Sequence, residues 1–311
     1  MSPFATTPRS VTVRAPAKVN LELRVGPRKD DGFHDLATVF MAVGLFDEVT
    51  VTRADTWSVT TTGRYAGLVP DTKDNLALRA AKALARRGRV ADAPVAITIA
   101  KEIPVAGGMA GGSADAAAAL VACDQLWGLR AERDVLASVA ADLGSDVPFA
   151  LHGGIALGSG RGDRLAPVLA RGLFHWVFAL SPTGLSTPAV YAECDRLRGD
   201  APVPAPESSP AIMAALRSGD CDELAAALVN DLQEPAFSLR PELRDVLDAG
   251  LEFGALGGIV SGSGPTIAFL TRSAEHALDL CVALTASGMA PEVKRARGPV
   301  HGAAVVTTPR D

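Results

Sequence analysis

The amino-acid sequence predicts an α+β fold, on two observations. Stretches with the two-residue period of strands and stretches with helical apolar spacing both occur, without the regular strand–helix–strand rotation of a doubly wound sheet. A chain of 311 residues is also long enough to bury about two sizeable cores.

In chain order, residues 11–25 alternate once past Pro16. Val19, Leu21, Leu23 and Val25 share one face of a strand, and Lys18, Asn20, Glu22 and Arg24 the other, a polar face on which a lysine is ordinarily solvated. A turn follows at Asp30-Asp31-Gly32, and further strands are expected at 49–52 and 57–61. Residues 75–87 read as a helix, with Leu76, Ala80, Ala83 and Leu84 at core spacing and Gly88 as its stop. Residues 95–100 form an apolar strand, Pro104 ends it, and an alanine-rich helix starts near Ser113 after a glycine loop. A second helix runs over about 131–143 and is broken at Gly144 to Pro148. Glycine-rich strands follow around 153–162, then a buried strand at 175–180. Pro202, Pro204, Pro206 and Pro210 mark a surface linker, and helices fill most of 208–250. A strand at 258–260, a glycine turn at Ser261 to Pro265, a strand at 266–270, a helix at 274–287 and a closing strand at 302–307 complete the chain.

Hydrophobic residues at 48% and charged residues at 21% are ordinary for a globular protein. A net charge of −5 argues against a nucleic-acid partner, since a phosphate backbone calls for a basic field, and Lys294, Arg295 and Arg297 read as a solvated face. The four cysteines form no C-x-x-C and the five histidines show no metal-ligand spacing, so reduced thiols and no transition-metal site are expected. Residues 1–14 lack the apolar core of a signal peptide, and no apolar run approaches a membrane span. The expectation is a cytoplasmic protein with no membrane partner, as a monomer or weak dimer.

The informative stretch is Pro104-Val105-Ala106-Gly107-Gly108-Met109-Ala110-Gly111-Gly112-Ser113-Ala114, between a strand and a helix. Glycine lets backbone N–H groups approach a ligand closely, and a helix start presents unpaired N–H groups and positive dipole. That combination suits phosphate oxygens. Gly107 and Gly112 have Walker A spacing, but Ser113 stands where that motif needs lysine, and the G-x-G-x-x-G pattern does not fit.

Five ordered stretches now carry a family resemblance. They are Pro16-Ala17-Lys18-Val19-Asn20-Leu21, Asp31-Gly32-Phe33-His34, Gly111-Gly112-Ser113-Ala114-Asp115-Ala116, Leu143-Gly144-Ser145-Asp146-Val147-Pro148-Phe149 and Ser261-Gly262-Ser263-Gly264. Together the chain resembles the GHMP kinase superfamily. The match is to the members that act on a cytidine diphosphate derivative of methylerythritol in the non-mevalonate route to isopentenyl diphosphate. The resemblance implies two domains, an ATP-binding one over 1–165 and a C-terminal one over 166–311, with the active site in the cleft between them. It implies ATP and Mg²⁺, and transfer of the γ-phosphate to the substrate's 2-hydroxyl.

Roles follow residue by residue from that resemblance. Asp146 matches the catalytic aspartate and Lys18 the catalytic lysine; an ammonium beside a carboxylate would keep it ionised and ease a developing alkoxide. Asn20, on the face of Lys18, would bind substrate polar groups. The loop from Pro104 to Ala114 would wrap ATP, with Ser113 as a phosphate or Mg²⁺ contact, and Asn75 and Lys101 would flank the adenosine. No acidic Mg²⁺ ligand is identifiable. Phe33 stands where the family usually has tyrosine, and with Tyr191 it offers two aromatic faces for a cytosine, whose edge His34 would bond. Thr187, Gly262, Ser263 and Gly264 would lie near the substrate. A homoserine- or mevalonate-type kinase is the first alternative, but neither acceptor has a base to stack. The second is a non-catalytic nucleotide-binding regulator, which could lose Lys18 or Asp146 without penalty.

Overall fold

The computed structural model describes residues 9–69, 72–90 and 92–306. The first half of the chain gives β1 (Ser10–Arg28), β2 (His34–Arg53), β3 (Ser58–Thr62), α1 (Leu76–Arg87), β4 (Val95–Ala100) and α2 (Gly111–Trp127). These are followed by α3 (Arg133–Leu143), α4 (Val147–His152), β5 (Ile155–Ser159) and β6 (Arg164–Pro167). Then come β7 (Phe174–Leu180), α5 (Thr187–Arg198), α6 (Pro210–Ser218), α7 (Cys221–Ala227), β8 (Val229–Asn230) and α8 (Gln233–Leu239). The chain continues through α9 (Glu242–Glu252), β9 (Gly257–Val260), β10 (Ile267–Thr271), α10 (Ala274–Ala286), β11 (Glu292–Gly298) and β12 (Ala304–Val305). The mixture of strands and helices is the α+β arrangement expected.

The frame is the antiparallel ribbon of β1 and β2, closed by a turn at residues 29–32. Its register shifts after Pro16, Asn20 and Val25, and such bulges bend a ribbon and increase its twist. The bend carries β1 from one core into the other: Val19 and Leu21 belong to the first apolar cluster, Leu23 and Val25 to the second. The first sheet has the order β12-β1-β2-β4-β3, with the β5–β6 hairpin on β2 and β8 beside β1. Helix α2 packs on β1, β2 and α1, and Ala116 to Ala119 are fully buried. Alanine side chains let the helix lie close to the sheet, which seats the loop before it.

The second sheet is antiparallel throughout, in the order β11-β7-β10-β9. Strand β7 is covered on both faces, with Trp176 and Phe178 in the first cluster and Val177 and Ala179 in the second, hence its unbroken apolar sequence. We propose the domain division close to the expected 165/166 boundary, in the connection between β6, which still pairs with β5, and β7, which begins the second sheet.

Several expectations need correction. The polar face of β1 is not solvated: Lys18, Asn20 and Glu22 are buried. Glu22 accepts hydrogen bonds from Ser208 Oγ at 2.6 Å and from the Ser209 N–H, so the proline-rich linker is tied to β1 at its end. Strand β2 extends over 34–48, where none was expected, because bulges and buried polar residues blur its alternation. The basic cluster lies on β11, an unforeseen edge strand; Arg295 and Arg297 are exposed, but Lys294 is half-buried and donates to the Glu102 carbonyl at 2.8 Å. The closing strand contracts to β12, and Thr307, like residues 1–8, for which no signal-peptide core was expected, lies outside the described residues. Among the described residues no helix is long and apolar enough to cross a membrane.

Candidate active site

The glycine loop, the polar face of β1, the start of α4, one face of α5 and the turn after β9 surround a cleft of about 1080 Å³. The loop is held at its root. Asp47, fully buried on β2, accepts from the backbone N–H groups of Glu102 at 2.6 Å and Ile103 at 2.8 Å, where β4 gives way to the loop. Ala110 caps α2 in the left-handed region without a side-chain hydrogen bond. Helix α2 therefore starts at Gly111, two residues before the expected Ser113. The N–H groups of Gly111, Gly112 and Ser113 fall in its first turn, where helix geometry supplies no carbonyl. The Ala114 N–H is already bonded to the Ala110 carbonyl at 2.9 Å. Pro104 to Gly108 and Ala110 to Gly112 line the cleft, whereas Met109 and Ala114 are fully buried. The expected direct contacts of Met109 and Ala114 with a nucleotide are therefore corrected: both belong to the packing that holds the loop.

Two glycine turns meet beneath this loop. A Cβ on Gly108 would lie 2.0 Å from the Ser261 carbonyl, and Ser261 Oγ donates to the Gly108 carbonyl at 3.1 Å. Gly262, at φ +59°, admits Lys18: a Cβ there would lie 2.9 Å from its Nζ. Asn230 holds this second turn by donating through Nδ2 to the carbonyls of Val260 and Gly262 at 2.8 and 2.7 Å. Thr187 and Ser263 share a hydrogen bond of 2.8 Å, which fastens the start of α5 to the same turn.

Lys18 Nζ donates to Asn20 Oδ1 at 2.5 Å, Asn20 Nδ2 to Thr38 Oγ1 at 2.8 Å, and Thr38 Oγ1 to the Glu22 carbonyl at 2.7 Å. Because the Thr38 proton is spent on that carbonyl, its oxygen accepts from the amide, which turns the Asn20 oxygen toward Lys18. Burial pushes the Lys18 ammonium below the ordinary lysine value, and the negative charge of Asp146 only partly offsets this. Asp146 occupies the N-cap position of α4, yet its side chain makes no capping hydrogen bond. Asp146 lines the same cleft as Lys18, close enough for its charge to act on the ammonium.

At the far end, His34 is buried and its ring packs on Tyr191 with centroids 5.2 Å apart. Its Nε2 lies 2.8 Å from Asp195 Oδ1. Burial, then the charge of Asp146, pushes the Tyr191 hydroxyl up, so the tyrosine lies within the field of that carboxylate. Phe33 is 51% exposed, and the Arg161 guanidinium covers one face of its ring at 3.7 Å. One face of Phe33 therefore remains open.

On the opposite side, Asn75 caps α1, its Oδ1 accepting from the Ala77 N–H at 3.0 Å, which leaves Nδ2 as its donor toward a ligand. Lys101 Nζ is committed to Asp47 at 2.5 Å and Asp115 at 2.7 Å. Burial pushes the Asp115 carboxyl up, the Lys101 ammonium opposing, and its second oxygen has no hydrogen-bond partner among the described residues. Sequence reasoning missed Thr38, Asp47, Asn230, Asp195 and Arg161, which act on their neighbours only through tertiary contacts. Among the described residues no group of three or more metal-ligating side chains occurs.

Residues 75–154 match the family described as GHMP kinases N terminal domain, and residues 212–288 match GHMP kinases C terminal. The chain is 58% identical over 306 residues to the 4-diphosphocytidyl-2-C-methyl-D-erythritol kinase of Mycolicibacterium smegmatis, covering 97% of this chain and 94% of that one. A crystal structure of 4-(cytidine 5'-diphospho)-2C-methyl-D-erythritol kinase superposes with a TM-score of 0.74 at 32% identity, over 92% of this chain and 98% of that one. A homoserine kinase from Cytophaga hutchinsonii gives a TM-score of 0.76 at only 21% identity, over 98% of this chain and 100% of that one. That likeness speaks for the fold alone.

Proposed function

The chain belongs to the GHMP kinases, within the 4-diphosphocytidyl-2-C-methyl-D-erythritol kinases, and from that premise we propose how its cleft moves a phosphoryl group. It is an ATP-dependent phosphotransferase. The acceptor is 4-diphosphocytidyl-2-C-methyl-D-erythritol, as the names of its relatives indicate, and the family resemblance implies its 2-hydroxyl as the attacking group. The observation that carries the residue assignment is the convergence of Lys18, Asp146 and both glycine turns on one cleft that also holds His34 and Tyr191.

In this reading the backbone of Gly107, Gly108 and Ala110, with the first-turn N–H groups of Gly111, Gly112 and Ser113, cradles the triphosphate. Positive dipole and unpaired donors there meet negative oxygens without a lysine. Asn75, through Nδ2, and the stem of Lys101 flank the adenosine. Asp146 orients the acceptor hydroxyl and takes its proton as the phosphoryl group transfers in line. Lys18 faces the charge that develops on the attacking oxygen, and Asn20 holds the ammonium in place. Cytosine stacks between the open face of Phe33 and Tyr191, with His34 at its edge. Thr187, Gly262 and Ser263 line the route between base and hydroxyl, whereas Gly264, expected beside them, is buried behind the turn and supports it.

With no metal-ligating cluster among the described residues, Mg²⁺ would be carried chiefly by the nucleotide's phosphates, with the half-buried Ser113 hydroxyl in the first turn of α2 as the nearest protein oxygen on the loop. When bound, it would neutralise charge between the phosphates. Release of ADP in a coupled assay, compared among the cytidylated acceptor, homoserine, mevalonate and no acceptor, tests the assignment. Turnover with the cytidylated acceptor alone is expected; equal turnover with homoserine or mevalonate would remove the base subsite.

A further inference from the structure

His34 is gripped by one helix in two ways. Tyr191 and Asp195 stand four residues apart on α5 and so share a face. The first lays its ring against the imidazole at 5.2 Å, and the second places Oδ1 2.8 Å from Nε2. An ionised carboxylate can only accept, so the proton between them belongs to Nε2. In the neutral ring Nδ1 is then left bare. It makes no hydrogen bond among the described residues, and both His34 and Asp195 line the cleft.

We propose that Asp195 is a positioning residue that sets base specificity: by holding the His34 proton on Nε2 it makes Nδ1 an acceptor for the ligand's base edge. Such an acceptor favours the exocyclic amine of cytosine, an N–H donor. It disfavours uracil, which presents a carbonyl oxygen at the same position. The inference rests on the reading of His34 as the contact to the base. It adds the source of the histidine's acceptor character, which a buried ring without a fixed proton would lack.

The test combines nitrogen-15 NMR of the imidazoles with kinetics on cytidine- and uridine-diphospho acceptors, at about pH 8, above the ordinary imidazole range. The wild-type protein is expected to show His34 as a single tautomer protonated on Nε2. Asp195→Leu is expected to mix the tautomers and to lower the cytidine-to-uridine ratio of kcat/KM by about ten-fold, the worth of one hydrogen bond, with the loss falling mainly on KM. Asp195→Asn, whose carbonyl still accepts from Nε2–H, should keep both the tautomer and most of the ratio. A wild-type His34 protonated on Nδ1 overturns the proposal without any variant. So does an Asp195→Leu protein that mixes the tautomers while its ratio stays at the wild-type value. His34→Ala separates the two layers: an unchanged KM for the cytidine acceptor would sink the underlying base contact rather than the role of Asp195.

Discussion

Two lysines are buried beside the same cleft, and the protein treats their charges in opposite ways. Lys101 sits between Asp47 and Asp115, at 2.5 and 2.7 Å, and Asp47 also ties down the root of the glycine loop. Lys18 has one amide oxygen at 2.5 Å and the ring of Phe40 at 5.8 Å; among the described residues no carboxylate lies within ion-pair distance of it. A buried cation held between two carboxyl groups, one of them pushed toward its neutral form by burial, is compensated and becomes architecture. A buried cation with no carboxylate in contact, only the more distant charge of Asp146, is ready for an anion that arrives with the substrate. The contrast separates the part of the cleft that is built to stay fixed from the part that is built to react.

The largest effects should fall on turnover at the Lys18 end. Asp146→Asn is expected to lower kcat by about 10²–10⁴-fold while ATP affinity changes little, measured by coupled ADP release and nucleotide titration. Near-wild-type kcat would remove the aspartate from the chemistry. At the other end, Lys101→Met should unfold the protein more easily, by about 3–5 kcal/mol in denaturant melts, because the buried carboxyl groups of Asp47 and Asp115 lose their cation. A Lys101→Met protein of unchanged stability would break the contrast. Phe33→Ala is expected to raise the acceptor KM by an amount equivalent to roughly 1–3 kcal/mol of lost stacking, leaving ATP binding as it was.

The smallest effect is a pH dependence, and its sign sharpens the comparison. With the Lys18 pKa lowered, its ammonium loses its proton before an ordinary lysine would, so activity should fall on the alkaline side earlier than lysine chemistry normally gives. Stability should move the other way. Between the lowered value and the ordinary one the unfolded chain holds the proton and the folded chain does not, so stability rises with pH and the gain is lost as pH falls through the lowered value. Subtracting the pH–stability curve of Lys18→Met from that of the wild type isolates this slope. A difference that falls with rising pH would show that the ammonium is better held than its surroundings imply.

Much of the site was legible because it is local. Strand, Pro104, glycines and alanine-rich helix follow one another in a single stretch, and the structure makes them β4, loop and α2 in that order. Asn75 before an amphipathic run reads as a helix start, and its side chain caps α1. Polar residues alternating along β1 read as solvated, and that failed: nothing in one strand tells that another layer covers its polar face. Phe33 likewise carries no sign that Arg161, far along the chain, covers its ring.

What the sequence determined by itself was the set of short-range elements and the motifs they carry, since turns, caps and periodicity depend on neighbours a few residues away. Only the tertiary structure decided which lysine is paired with carboxyl groups, which nitrogen of His34 meets Asp195 and which face of β1 meets water. Each of those depends on the charge and burial supplied by residues distant in the chain, and solvent exclusion is a property of the packed whole.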